Sequence, residues 1–135
     1  MLSEIKKISS LLLSVAFSSI GFIASITVTV LAAREVSSNP LFVGFPNAVG
    51  VGGAVLGTRM IYLISKNNSQ LNALAFTFLI GAFGGAIMFY SLIVDSFVML
   101  LFGAFILGIG QSATLQTRYA ASFVASEKFK ATALS

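Results

Sequence analysis

The chain offers few side chains able to do chemistry. Its 135 residues include eight Lys and Arg, four Asp and Glu, and neither His nor Cys. Lacking those two types, the chain has no imidazole base or ligand, no thiol nucleophile and no disulfide. The acids, Glu4, Glu35, Asp95 and Glu127, lie far apart in sequence and outside the long apolar runs. No cofactor or metal is expected, and an intramembrane enzyme is the weakest reading. What remains is recognition by polar and cationic groups in apolar surroundings. Asn47, Arg59, Lys66, Gln111 and Arg118 are the candidates for contacts to a solute or for parts of a gate. Each also has a plainer role. An Arg at the centre of a membrane helix costs about 2.5 to 3.5 kcal/mol on insertion scales. Arg59 avoids that cost by stretching its stem to the interface near Tyr62, or uses its charge to meet an anion in a cavity. Asn47, Gln111 and Thr114 suit interhelical hydrogen bonds, typically about 0.6 kcal/mol each in membrane proteins. Arg118 anchors an interface, or pairs with an acid or a lipid phosphate.

The elements that must carry these residues follow from composition. The chain is 57% hydrophobic and 9% charged, with mean hydropathy +0.99, whereas soluble domains are about 25% charged. It is an integral membrane protein whose first partner is the lipid bilayer. The net charge of +4 is spread thinly and points to no nucleic acid. Four uncharged runs stand out: residues 8–33, 36–58, 67–94 and 96–117. About 20 apolar residues suffice for a helix to cross a bilayer. The first run is too long for the apolar core of a signal peptide, which is about 7 to 15 residues. Strict alternation is absent, so a barrel is excluded and helices are expected. Turn residues at Asn39-Pro40 and from Lys66 to Gln70 place the spans at about 8–33, 41–65, 71–94 and 96–117, with a tail from 118 to 135. Short connections predict that helices adjacent in sequence are antiparallel neighbours.

The stretch from Leu107 to Phe129 shows how the last span ends. It begins as apolar helix dotted with small residues and turns basic and amphipathic at Arg118. With the N-terminus inside, the cytoplasmic side collects Lys6, Lys7, Arg59, Lys66, Arg118, Lys128 and Lys130, and the outside holds Arg34 alone. That bias predicts both termini in the cytoplasm. Proton relays in membrane proteins generally use an embedded acid, and no span contains one.

Three spans carry small residues at helical spacing. Gly50, Gly53 and Gly57 lie in the second, Gly81 and Gly85 in the third, and Ala104, Gly108 and Ser112 in the fourth. Such faces let helix backbones approach closely, where van der Waals contact replaces the hydrophobic drive that lipid does not supply. The same glycines could also let helices slide past one another.

The glycine-rich second span, the basic turn at Lys66, the Gly108-Ile109-Gly110 step and the exit Arg118-Tyr119-Ala120-Ala121, followed by Lys128-Phe129-Lys130-Ala131, together resemble the major facilitator superfamily. A small-Gly step such as Val43-Gly44 at the start of helix two fits the same order. The resemblance implies an all-α membrane protein whose four transmembrane helices match the N-terminal portion of a twelve-helix fold. It implies a secondary transporter of a small solute in the cytoplasmic membrane, with further helices completing the cavity. Two departures stand out. In the loop between helices two and three only Lys66 keeps the family's charged pattern, Ser65 standing where the acid does; and Ala104 stands where helix four often has an Arg. Two other readings compete. One is a small four-helix multidrug-type transporter working as a dimer with a second copy, although proteins of that type use a Glu in helix one and residues 8–33 contain none. The other is a non-transporting subunit that packs on a partner through its glycine faces.

Overall fold

Apolar runs with their breaks confined to a few polar positions should form long helices, and they do. The structure, a computed structural model, describes the backbone of residues 2–133 and the side chains between Ser9 and Tyr119, apart from those of residues 10–12, 14, 15, 18 and 71. Helix α1 runs from Leu2 to Val36, α2 from Phe45 to Asn67, α3 from Gln70 to Val94 and α4 from Phe97 to Ala133. The side chains of Lys6, Lys7, Ala120, Ala121 and residues 128–131 lie outside the described residues, as do residues 134 and 135 altogether.

Each break has a local cause. After α1, Asn39 is held extended ahead of Pro40, the conformation the proline ring favours. Its side chain accepts the Leu41 N–H at 3.1 Å, which starts a single 3-10 turn over Pro40–Phe42. The second span therefore starts as this turn and becomes α-helix only at Phe45, rather than near Leu41. Pro46 then sits in the first helical turn, where a missing N–H is harmless. Two extended residues, Asn68 and Ser69, separate α2 from α3, and the Ser69 hydroxyl caps the new helix at the Asn72 N–H. The α3–α4 turn is equally tight. Asp95 adopts the left-handed conformation, at φ 57°, and the Ser96 N–H returns to the Ser91 carbonyl at 3.1 Å. Ser96 then offers its hydroxyl to the Met99 N–H as the cap of α4.

Packing is organised around α4. It makes extensive contact with α2 on one face and α3 on the other, while α1 leans on it more loosely. Sequence adjacency thus predicts the α3–α4 pair but not the rest. Helices α1 and α2, although joined by a short turn, touch only sparingly, and α2 meets α3 less than it meets α4. The reason is the distribution of small residues. On α2, Gly53 faces the Phe105 backbone and Gly57 faces Ile109 and Ser112. Positions rise together along the two chains, so α2 and α4 are parallel. On α3, Gly81 lies against Gly110, and Gly84 against Gly103, Ile106 and Leu107. Here one position rises as the other falls, so α3 is antiparallel to α4. Larger side chains at these crossings would force the axes apart and forfeit the dispersion contacts that hold helices together in lipid.

The bundle buries mostly small residues, with Ile61, Met88, Leu100 and Ile109 the large exceptions among those described, and exposes many large apolar ones, unlike a water-soluble protein. Ala33, Ala73, Thr77, Ser91, Ser112 and Ala113 are buried, whereas Phe17, Phe83 and Phe89 are exposed, at 72%, 67% and 69%. Apolar solvent must therefore surround it. Each of the four helices contains a window long and apolar enough to cross a bilayer. At 1.5 Å per residue, Phe97 to Thr117 reaches about 30 Å, the thickness of the hydrocarbon layer. The remainder of α4 runs beyond that length as helix.

Candidate functional site

Because α1 leans on α4 without a glycine crossing, clefts open on both sides of it. One, of about 350 Å³, lies between α1, α3 and α4 and is lined by Phe22, Ser25, Phe78, Gly81, Gln111 and Thr114 among others. A second, of about 260 Å³, lies between α1, α2 and α4, with Thr29, Asn47 and again Gln111 and Phe22 in its wall. A third, of about 280 Å³, continues along the α1–α3 side past Ser25 and Met88. Gln111 stands between the first two and faces both.

The chemistry of this junction is set by a short hydrogen-bond chain. Thr29 Oγ1 donates to the Ser25 carbonyl at 2.6 Å. Ser25 Oγ donates to the Phe22 carbonyl at 2.8 Å, so its single hydrogen is committed. The hydroxyl must therefore accept from Gln111, whose Nε2 donates to it across the α1–α4 gap at 2.9 Å. That donor geometry fixes which way round the amide lies. Asn47 is half-buried at the opening of α2, where it faces the second cleft.

The other candidates lie elsewhere. Arg59, Lys66 and Arg118 are exposed, and none of them lines these clefts. Arg59 and Arg118 sit on the parallel helices α2 and α4, toward the end of the bundle that carries the α2–α3 turn and Lys66. The structure thus brings Asn47 and Gln111 to one pair of clefts and sets the three cations on the outer surface. Among the small residues, Gly50, Gly53, Gly57, Gly81 and Gly108 are buried. Gly85 is different: a Cβ there would meet only Leu107, at an ordinary 3.9 Å. The close approach is made by Gly84, together with Gly103 and Gly110 on α4. Sequence reasoning missed Gly84, Gly103 and Ser25. The first was legible as the next member of a stripe at spacings of three and four, Thr77, Gly81, Gly84, Met88 and Ser91, all buried. Ser25 carried no such signal, because hydroxyls commonly turn back onto their own helix.

Among the described residues, no group of three or more His, Cys, Asp or Glu side chains could hold a metal. Among the described residues that line the clefts there is no Asp, Glu, Lys, Arg, His or Cys. Their walls can enclose an apolar body and offer hydrogen bonds, and they supply neither a nucleophile nor a proton carrier.

No protein-family model matches the chain, and no solved structure matches it. Two curated proteins of Bacillus subtilis do. It is 32% identical over 130 residues, or 96% of its length, to the uncharacterised MFS-type transporter YddS, and 29% identical over 123 residues to the uncharacterised MFS-type transporter YdeG. It spans 30% and 29% of the length of these relatives. Four long apolar helices that cross on glycine are thus similar, along nearly the whole of this chain, to part of proteins named as MFS-type, that is major facilitator superfamily, transporters.

Proposed function

We propose that these four helices form the N-terminal part of a secondary transporter that moves a small solute across the cytoplasmic membrane by alternating access, with the N-terminus in the cytoplasm. The observation that carries this reading is the similarity to YddS, which runs along 96% of this chain and covers 30% of a protein named as a transporter. The remainder of such a fold would supply the other wall of the cavity. Substrate sites in transporters of this build lie near the membrane midplane between repeats. Gln111 and Ser25 lie inside their spans, each about two-thirds of the way along, Gln111 on the Phe97–Thr117 stretch of α4 and Ser25 on α1. No embedded acid is present among the described residues of the spans, so a proton-coupling group would come from other helices.

Liposome reconstitution tests the reading. The 135-residue chain alone should give no saturable, gradient-driven flux of a panel of neutral and charged small solutes, and the full-length protein should give such flux for at least one of them. Saturable flux from the 135 residues alone would favour a self-sufficient dimer. No flux from the full-length protein would favour a packing subunit.

A further inference from the structure

The three clefts share one property beyond their position. Their described lining is built from Gly, Ala, Pro, aliphatic, Met and Phe residues with Ser, Thr, Asn and Gln, and among the described residues no Asp, Glu, Lys or Arg enters any of them. The cations that could have neutralised an anion, Arg59, Lys66 and Arg118, are exposed outside them. A charged group pressed against this wall loses its hydration and gains no countercharge. The wall does offer the amide of Gln111. Nε2 spends one hydrogen on Ser25, and no described residue engages Oε1, which leaves an acceptor and a second N–H at the meeting point of two clefts. Phe22 and Phe78 supply flat apolar surface beside it.

We propose that the solute read by this wall is an uncharged small molecule with an apolar body, recognised through hydrogen bonds to the Gln111 side chain, with Ser25 as the partner that keeps the amide poised between α1 and α4. The proposal rests on the transporter reading above and narrows it to a substrate class. It also gives α1 a reason to stay loosely packed. The helix is tied to α4 through a bond that a solute can share or replace, whereas α2 and α3 are fixed by backbone contact at glycines.

Benzamide, benzoate and benzamidinium are close in shape and differ in charge, and they serve as probes. Equilibrium binding to the purified full-length protein is measured for each, with Gln111→Leu as the reference for partition into the detergent. Wild type should bind benzamide at least about tenfold more tightly than either ion, and Gln111→Leu should lose at least about tenfold in benzamide affinity. Gln111→Glu should reverse the preference toward benzamidinium, which a merely structural role for Gln111 would not produce. A thermal midpoint for Gln111→Leu close to wild type separates lost recognition from lost folding. Absence of a benzamide preference in wild type, including no binding of any probe, overturns the proposal, as does unchanged affinity in Gln111→Leu. Either failure with solute flux intact removes the substrate class alone, whereas loss of flux with the preference intact removes the transport reading alone.

Discussion

Asp95 does the work of a glycine. It closes α3 in the left-handed conformation, the single non-glycine residue at positive φ among those described. The Asp95 and Ser96 N–H groups both return to the Ser91 carbonyl, which satisfies ends of α3 that lipid could not. Aspartate tolerates this backbone better than most residues, and a β-branched residue tolerates it poorly, since the left-handed region costs L-residues roughly 1–2 kcal/mol. Asp95→Val should therefore lower stability by about 1–2 kcal/mol, while Asp95→Gly should match or exceed wild type. Thermal unfolding in detergent checks the order, and a valine variant as stable as the glycine one would mean that the turn has another conformation. At this scale the sequence was informative about type and silent about partner. It marked Asp95 as a break and Gln111 as polar inside a span. That Gln111 meets Ser25, 86 positions away, depends on how α1 lies against α4, and no local pattern encodes that.

Helices are where the glycines acquire meaning. A glycine costs a helix about 1 kcal/mol relative to alanine, so those retained at a crossing must return more through close packing. A Cβ on Gly84 would meet the Leu107 backbone, whereas one on the adjacent Gly85 would make an ordinary contact with the Leu107 side chain. Gly84→Ala should therefore destabilise by about 1–3 kcal/mol through overpacking, and Gly85→Ala should be neutral or mildly stabilising. On α2 the same contrast separates Gly57, which faces Ile109 and Ser112, from Val55, which is 67% exposed. Gly57→Leu should reduce stability in detergent strongly, and Val55→Leu hardly at all. Equal tolerance within either pair would show that the helix faces are rotated from those described here. The GxxxG spacing alone could suggest a packing face on α2, because its members all fall on one stripe. It misled on α3, where Gly81, Gly84 and Gly85 lie so close that two registers compete; the spacing of three wins because it continues through Thr77, Met88 and Ser91.

At the scale of the whole molecule, the all-helical membrane fold was legible because lipid leaves few options: each span must satisfy its own backbone, and a run of about 20 apolar residues has one common use. The arrangement of the helices was not, because α4 takes a central place through its small residues and not through its place in the chain. The candidate site was legible only in part for a related reason: polarity inside a span marked Asn47 and Gln111, which line the clefts, and equally Arg59 and Arg118, which are exposed outside them. Their exposure has a consequence for orientation. The helix directions put the α1–α2 and α3–α4 turns, with Arg34, Glu35 and Asp95, at one end of the bundle; Phe42 and Phe97 touch there, with ring centroids 6.1 Å apart. The α2–α3 turn, with Lys66, lies at the other, on the side toward which Arg59 and Arg118 are displaced. We propose that the end where these exposed cations concentrate faces the cytoplasm, where anionic headgroups and the rules of insertion both favour them. Because this chain has no cysteine of its own, single introduced thiols can report on the two ends. Ser38→Cys, in the turn after α1, should react with a membrane-impermeant maleimide added to intact cells. Ser69→Cys, in the α2–α3 turn, should react only after the cells are opened. Both positions are in exposed backbone turns, so failure to react cannot be blamed on burial within these helices. Labelling of Ser69→Cys from outside, with Ser38→Cys protected, would invert the molecule and place Lys66, Arg59 and Arg118 on the outer surface.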